Sequence, residues 1–264
     1  MNGPARPNDN RILNALTAAE SGRIVPSLSR VWLTTGTVLC DSDELARYVY
    51  FPTDAVLALI CTLSDGTLSQ VGMIGNEGES GIGLVMGAER LPGLAVVQIS
   101  GFAYRMPAAV LHDEMRRRGS ISRLLLRHAH SLFTQAVMLA VCNRHHSVEQ
   151  QLCRWLLLTL DRVTSGQFKA TQEQIASFLG VRREGVTAAA GRLQHRRVIR
   201  YCHGRITILD RRRLEESCCE CYSVVRRATD RLLPTARPQG RRDPLMRVDV
   251  DSVDREATHA RRKA

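Results

Sequence analysis

The chain has 264 residues, 44 % of them hydrophobic, with 37 lysines and arginines against 26 aspartates and glutamates, for a formal net charge of +11. The length suits one or two domains with real cores. No run of 18 consecutive apolar residues occurs, and the opening MNGPARPNDN lacks the apolar stretch of a secretory signal, so neither a transmembrane helix nor export is expected. A cytoplasmic location follows, where the eight cysteines are expected to be mostly reduced.

The charge is uneven. Residues 1–142 are neutral, residues 143–226 carry +7, and residues 227–264 carry +4. A neutral first half on a basic second half points to a regulatory module joined to a polyanion-binding one. A solvated basic surface would look the same by charge alone.

Ile12, Leu13, Leu16 and Ala19 share one face of a short helix predicted over 11–25. From Val31 to Met106 the texture becomes that of strands. The runs Tyr48–Phe51, Val56–Leu63, Leu68–Ile74 and Leu94–Tyr104 are rich in branched and aromatic residues. Turn signals separate them, among them Asp65-Gly66, a strong hairpin signal, and a cluster of Gly75, Gly78, Gly81 and Gly83. A small antiparallel barrel or jelly roll is expected.

After Pro107 the period is helical. Ile121, Leu125, His128, Leu132, Gln135, Leu139 and Cys142 follow 4-3 spacing. This seam predicts a helix that pairs with its twin in a second copy of the chain. The alternative is packing on its own domain. A polar hinge is expected at 143–147, then a helix over about 147–163. The segment beyond about 227 is charged, broken by Pro234, Pro238 and Pro244, and expected to be disordered.

Residues 171–193 carry the most specific pattern. Thr171 and Gln174 form a capping box, Ile175, Ala176 and Leu179 an inner face, and Gly180 a tight turn. Val181 would lock this helix to a second one with Val186, Ala190 and Leu193 inward. The pair reads as a helix-turn-helix. Its second helix presents Arg182, Arg183, Glu184, Thr187 and Ala188 to the major groove as base readers. Arg183 can donate twice to guanine, and Glu184 can accept from cytosine. A carboxylate on a basic surface suits a base reader and would repel a phosphate. Thr171, Arg192, Arg196, Arg197 and Arg205 suit phosphate contacts. Val198–Tyr201, His203-Gly204 and Arg205–Leu209 complete a β-wing.

These pieces together resemble the Crp/Fnr family of bacterial transcription regulators. The matching residues run from about Asn10 to Tyr222. They include Tyr50-Phe51-Pro52, Asp65-Gly66, Gly75-Asn76-Glu77-Gly78, Cys142-Asn143-Arg144-His145-His146, Gln151–Leu157, Gly180–Glu184 and Cys219-Glu220-Cys221-Tyr222. The resemblance implies an α+β architecture. An N-terminal arm with a short helix (1–25) would precede a β-roll sensor domain similar to cyclic-nucleotide-binding domains (26–108). A dimerisation helix and hinge (109–145), a winged helix-turn-helix (146–226) and a basic tail (227–264) would follow. It further implies a homodimer on a near-palindromic double-stranded DNA site, contact with RNA polymerase, and an effector at the roll. It places Arg183 and Glu184 on bases. Ala188 stands where some members have an arginine that also reads bases.

The effector stays unidentified. Nucleotide-binding members have a Gly-Glu-Leu turn and an Arg-Ser/Thr pair, whereas this chain has Gly81-Ile82-Gly83 and Arg90-Leu91. Glu77 or Glu79 could replace the missing carboxylate. No cysteine precedes Cys40, so the N-terminal cluster of oxygen-sensing members is not expected. Cys218-Cys219-Glu220-Cys221, with Cys202-His203 approaching it, could form a thiol switch or a zinc set. Packing of a C-terminal helix explains the same cysteines, and no metal or cofactor is assigned. Cys153 reads as a small buried hydrophobe, and His145-His146 as a polar hinge. No catalytic constellation is present among the common motifs, so an enzyme is not expected.

Overall fold

The first predicted helix is two helices, because two capping residues compete for one stretch. Asn10 accepts from the amides of Ile12 and Leu13 and starts α1 (Arg11–Asn14). Thr17 and Glu20 form a capping box that starts α2 (Ala18–Ile24). This computed structural model describes residues 6–40, 46–88, 93–163 and 165–233. Arg90-Leu91 and most of the expected basic tail lie outside them.

The roll contains β1 (Ser29–Leu33), β2 (Val38–Cys40), β3 (Tyr48–Pro52), β4 (Val56–Thr62) and β5 (Leu68–Ile74). The short α3 (Ile82–Val85), β6 (Leu94–Ile99) and β7 (Gly101–Pro107) complete it. β1, β7 and β3 form one antiparallel sheet, and β2, β6, β4 and β5 another. Asp65-Gly66 turns β4 into β5, with Gly66 at φ +82°. The predicted run Leu94–Tyr104 splits at Ser100-Gly101. A side chain at Gly101 would meet the Ala55 amide nitrogen at 2.5 Å, so the strands change sheets where only glycine fits.

α4 (Ala108–Arg117), unanticipated as a separate helix, ends at Arg118 with φ +53°. α5 (Ser120–His145) follows. It absorbs most of the expected hinge and leaves His146 and Ser147 between it and α6 (Val148–Leu160). Length and composition would let α5 cross a membrane, with a mean hydropathy of 1.2 over its most apolar window. Here its apolar inner face packs on the roll and on the C-terminal helix.

The predicted pairing seam is corrected by this packing. Ile121, Leu125, His128, Leu132 and Gln135 are buried inside the chain itself, and Leu139 is half-buried. The two polar members are why the face turns inward. Gln135 accepts from the Met73 amide and donates to its carbonyl, both at 3.2 Å, so its side chain extends β5. His128 Nδ1 lies 3.4 Å from Glu79 Oε1, both fully enclosed. The outward face of α5 carries Leu126, Phe133, Val137 and Val141 instead.

The C-terminal part contains β8 (Gln167–Lys169), α7 (Gln172–Leu179), α8 (Arg183–His195), β9 (Ile199–Cys202) and β10 (Arg205–Ile208). It ends with α9 (Arg211–Glu216) and α10 (Glu220–Leu232). α10 continues past 227, where disorder was expected, because Val225 and Leu233 are buried and α10 lies along α5. One apolar cluster joins Val56 and Met73 of the roll to α6, α7, α8 and the wing. A polar chain runs through the same junction. Trp155 Nε1 donates to Gln70 Oε1 (3.0 Å), Gln70 donates to Gln98 (2.9 Å), and Gln98 reaches Thr159 (3.4 Å). Buried polar groups paired in this way avoid a desolvation cost of about 1–3 kcal/mol each.

Candidate nucleic-acid interface

Local rules build the reading unit. The Thr171 hydroxyl accepts from the Gln174 amide, and the Gln174 side chain accepts from the Thr171 amide at 2.9 Å. Gly180 closes α7 in the left-handed region at φ +66°, where an L side chain is strained. Val181 packs against the shared core, and Ile175, Ala176, Leu179, Val186, Ala190 and Leu193 are buried in it. The inner faces therefore lie as predicted. The wing turn puts His203 at φ +49° and Gly204 at φ +71°, the pair of positive angles a two-residue hairpin needs. A third strand, β8, pairs with β10. Sequence reading missed it because only Phe168 of its three residues turns inward.

Arg182 is the N-cap of α8, and Arg183, Glu184, Thr187 and Ala188 occupy its first turns. All five are exposed. Glu173 lies 3.9 Å from Arg183 across the exposed face, a pair worth little in water. The Thr187 hydroxyl bonds Gln172 Oε1 at 2.7 Å, which adds Gln172, unmarked in the sequence, to the same surface.

The predicted phosphate residues divide into two groups. Thr171, Arg197 and Arg205 are exposed with no ion pair among the described residues. Arg192 and Arg196 are both engaged by Glu149 of α6, Arg192 Nε at 2.5 Å and Arg196 through Nη2. Their positive charge is partly neutralised in the free chain.

At the roll the candidate carboxylates are occupied. Glu77 binds Arg162, whose Nη2 is 2.6 Å away, and accepts from the Gly75 amide. Burial pushes the Glu77 carboxyl up, but the Arg162 guanidinium and backbone hydrogen bonds together outweigh this and hold it below its ordinary value. Glu79 accepts from the Gly81 amide and faces His128. Ile82 is buried. An open groove of about 520 Å³ lies between roll and α5, lined by apolar groups such as Leu59, Val71, Ile82, Met86, Leu126 and Phe133.

The cysteines group differently from the expectation. Cys202 stands exposed on the wing beside His203. Cys142 and His146 of the α5 terminus meet Cys219 and Cys221 at the start of α10. Cys218 is a neighbour that hydrogen-bonds Cys219. Hydrogen bonds from Cys142 and Cys218 lower the Cys219 thiol, while its partners are pushed up. Cys153 is buried as expected, and burial pushes its thiol up to about 12.

The family model of the Crp-like helix-turn-helix domain matches residues 150–217. The fold is similar to that of a Crp/Fnr-family transcriptional regulator from Eubacterium rectale, with a TM-score of 0.61 at 18 % identity over 79 % of this chain and 98 % of that one. FixK2 from Bradyrhizobium japonicum gives 0.57 at 16 % identity, over 73 % and 98 %. A CRP-family transcriptional regulator from Thermus thermophilus gives 0.57 at 18 % identity, over 71 % and 95 %. No curated protein sequence matches the chain. Residues 150–217 are thus a Crp-like helix-turn-helix domain, and the chain has the fold of Crp/Fnr-family regulators.

Proposed function

We propose that the chain acts in the cytoplasm as a homodimer that reads a near-palindromic double-stranded DNA site and acts on RNA polymerase. The observation that carries the reading is the exposed first turn of α8. It offers Arg182, Arg183, Glu184 and Thr187 on one side while Val186, Ala190 and Leu193 hold the other side in the core. Arg183 reads guanine, Glu184 accepts from cytosine, and Ala188 contributes apolar contact to a base. Thr171, Arg197 and Arg205 fix the position on phosphates. Arg192 and Arg196 do so while shared with Glu149.

The second copy docks on the outward face of α5, the opposite face from the one the sequence period singles out. Leu126, Phe133, Val137 and Val141 repeat at intervals of seven, four and four residues. Leu126 and Phe133 line the apolar groove at the roll, which the partner's helix would cover. A cyclic nucleotide finds little support. Glu77 and Glu79 are already bonded within the chain, and the groove offers an apolar lining rather than a phosphate site.

Selection from a random duplex library with the purified chain tests the reading. A two-fold-symmetric site with half-sites about one helical turn apart is expected. Arg183→Ala should relax one half-site position and cost about 1–3 kcal/mol. Arg197→Ala should weaken binding to all sequences and flatten its salt slope. Equal, sequence-independent losses in both variants would overturn the assignment.

A further inference from the structure

We propose that Cys142, His146, Cys219 and Cys221 form a closed, tetrahedral zinc site that fastens the end of α5 to the start of α10. Two ligands, Cys142 and His146, stand one helical turn apart on the last turn and C-cap of α5. The other two are the N-cap and second residue of α10. Cys142 Sγ lies 3.6 Å from Cys219 Sγ, and Cys221 Sγ lies 3.5 Å from His146 Nδ1. Zinc with sulfur at about 2.3 Å and nitrogen at about 2.0 Å has tetrahedron edges of roughly 3.8 Å (S–S) and 3.5 Å (S–N). Two edges therefore already have the length a bound ion imposes. All four donor atoms lie within 4.8 Å of one another, so the longest edge closes by about 1 Å on loading.

Three features favour an ion over plain packing of thiols. Cys142, Cys219 and Cys221 are buried together as a cluster of their own, apart from the larger apolar cores. His146 Nε2 faces Glu220 Oε2 at 3.4 Å, the carboxylate partner that orients a ligating imidazole from its far nitrogen. Three thiolates and a neutral histidine around Zn²⁺ leave one negative charge. Arg154 lies within electrostatic reach of Cys142, is buried, and has an Nε with no hydrogen-bond partner. It supplies the compensating charge. Binding transfers the thiol protons to solvent and moves no electrons. A disulfide is a different state, because its sulfurs sit about 2.05 Å apart.

The site's position gives it a consequence. His146 is one of only two residues between α5 and α6, so the ion sets how the outward face of α5 is aimed relative to the winged helix.

The reduced, metal-stripped full chain should be titrated anaerobically with Co²⁺. One equivalent per chain is expected, with thiolate-to-cobalt charge transfer and the intense visible bands of tetrahedral cobalt, both lost on adding Zn²⁺. X-ray absorption of the zinc form should show three sulfurs and one nitrogen. Cys142→Ser and Cys221→Ser should abolish stoichiometric uptake, and Cys202→Ser should leave it unchanged. No tetrahedral cobalt spectrum from the unmodified chain would overturn the site. So would a spectrum that survives Cys142→Ser or disappears in Cys202→Ser. Quantitative Cys142–Cys219 disulfide in place of metal uptake would overturn it in favour of a thiol switch. None of these readouts depends on DNA binding.

Discussion

The two faces of α5 differ in what completes them. On the inner face His128, Ser131 and Gln135 each have a partner in the same chain, and even the helix start is capped from a distance. Glu20 of α2 accepts from the Ile121 amide at 2.9 Å and from the Ser120 hydroxyl at 2.5 Å, where Gly119 supplies no side-chain cap. The outer face is apolar and uncovered. Leu125 and Leu126 are chemically identical neighbours, yet the first is 0 % exposed and the second 51 %. Helical period singles out the inner stripe and says nothing of what covers it. Its cover includes Glu79 against His128 Nδ1 and the Met73 backbone against Gln135, while His128 Nε2 has no partner among the described residues.

Substitutions on the two faces should therefore separate. Leu125→Ala should cost about 2–5 kcal/mol in chemical denaturation, as a buried leucine does when the cavity cannot collapse. Leu126→Ala should stay within about 0.5 kcal/mol in the monomer. Comparable losses at both positions would erase the distinction. Gln135→Ala leaves the Met73 amide and carbonyl unpaired and should cost about 1–3 kcal/mol, again by denaturant midpoint.

Acid should loosen the start of the inner face. Burial raises the Glu20 carboxyl, but hydrogen bonds from Ser120, Ile121 and Thr17 outweigh it and lower it from 4.5 to about 2. A lowered carboxylate stabilises the fold fully above its unfolded value and ceases to do so as pH falls through the folded one. Stability should fall between about pH 4.5 and 2, and Glu20→Gln should shrink that fall when melting temperature is followed against pH. The smallest effect on folding is expected from Phe133→Glu on the outer face. Sedimentation should nonetheless show the proposed dimer dissociated, with the circular dichroism unchanged.

The winged helix was legible because its signals are local. The capping box of Thr171, the left-handed Gly180 and the His203-Gly204 turn each act within a few residues. The covering of α5 was not, since a 4-3 repeat names a face and says nothing of what lies on it. The partners of Gln135 and His128 stand 62 and 49 residues away. Distance hid the thiol cluster as well. Cys142 and Cys219 are 77 residues apart, while spacing rules favour the neighbouring Cys218 and Cys221. β8 was lost to brevity, and the break at Gly101 to a clash visible only once Ala55 is in place.

The apolar cluster that takes Val56 and Met73 from the roll and Leu152, Trp155 and Leu156 from α6 has a calorimetric consequence. A shared interior couples the melting of its two sides, because neither can open without exposing the other's apolar surface to water. Residues 6–233 should give one endotherm rather than two, with a van't Hoff enthalpy per chain equal to the calorimetric one. A ligand held only by the roll would then raise the melting temperature of the DNA-reading helices by the same amount as that of the strands it touches.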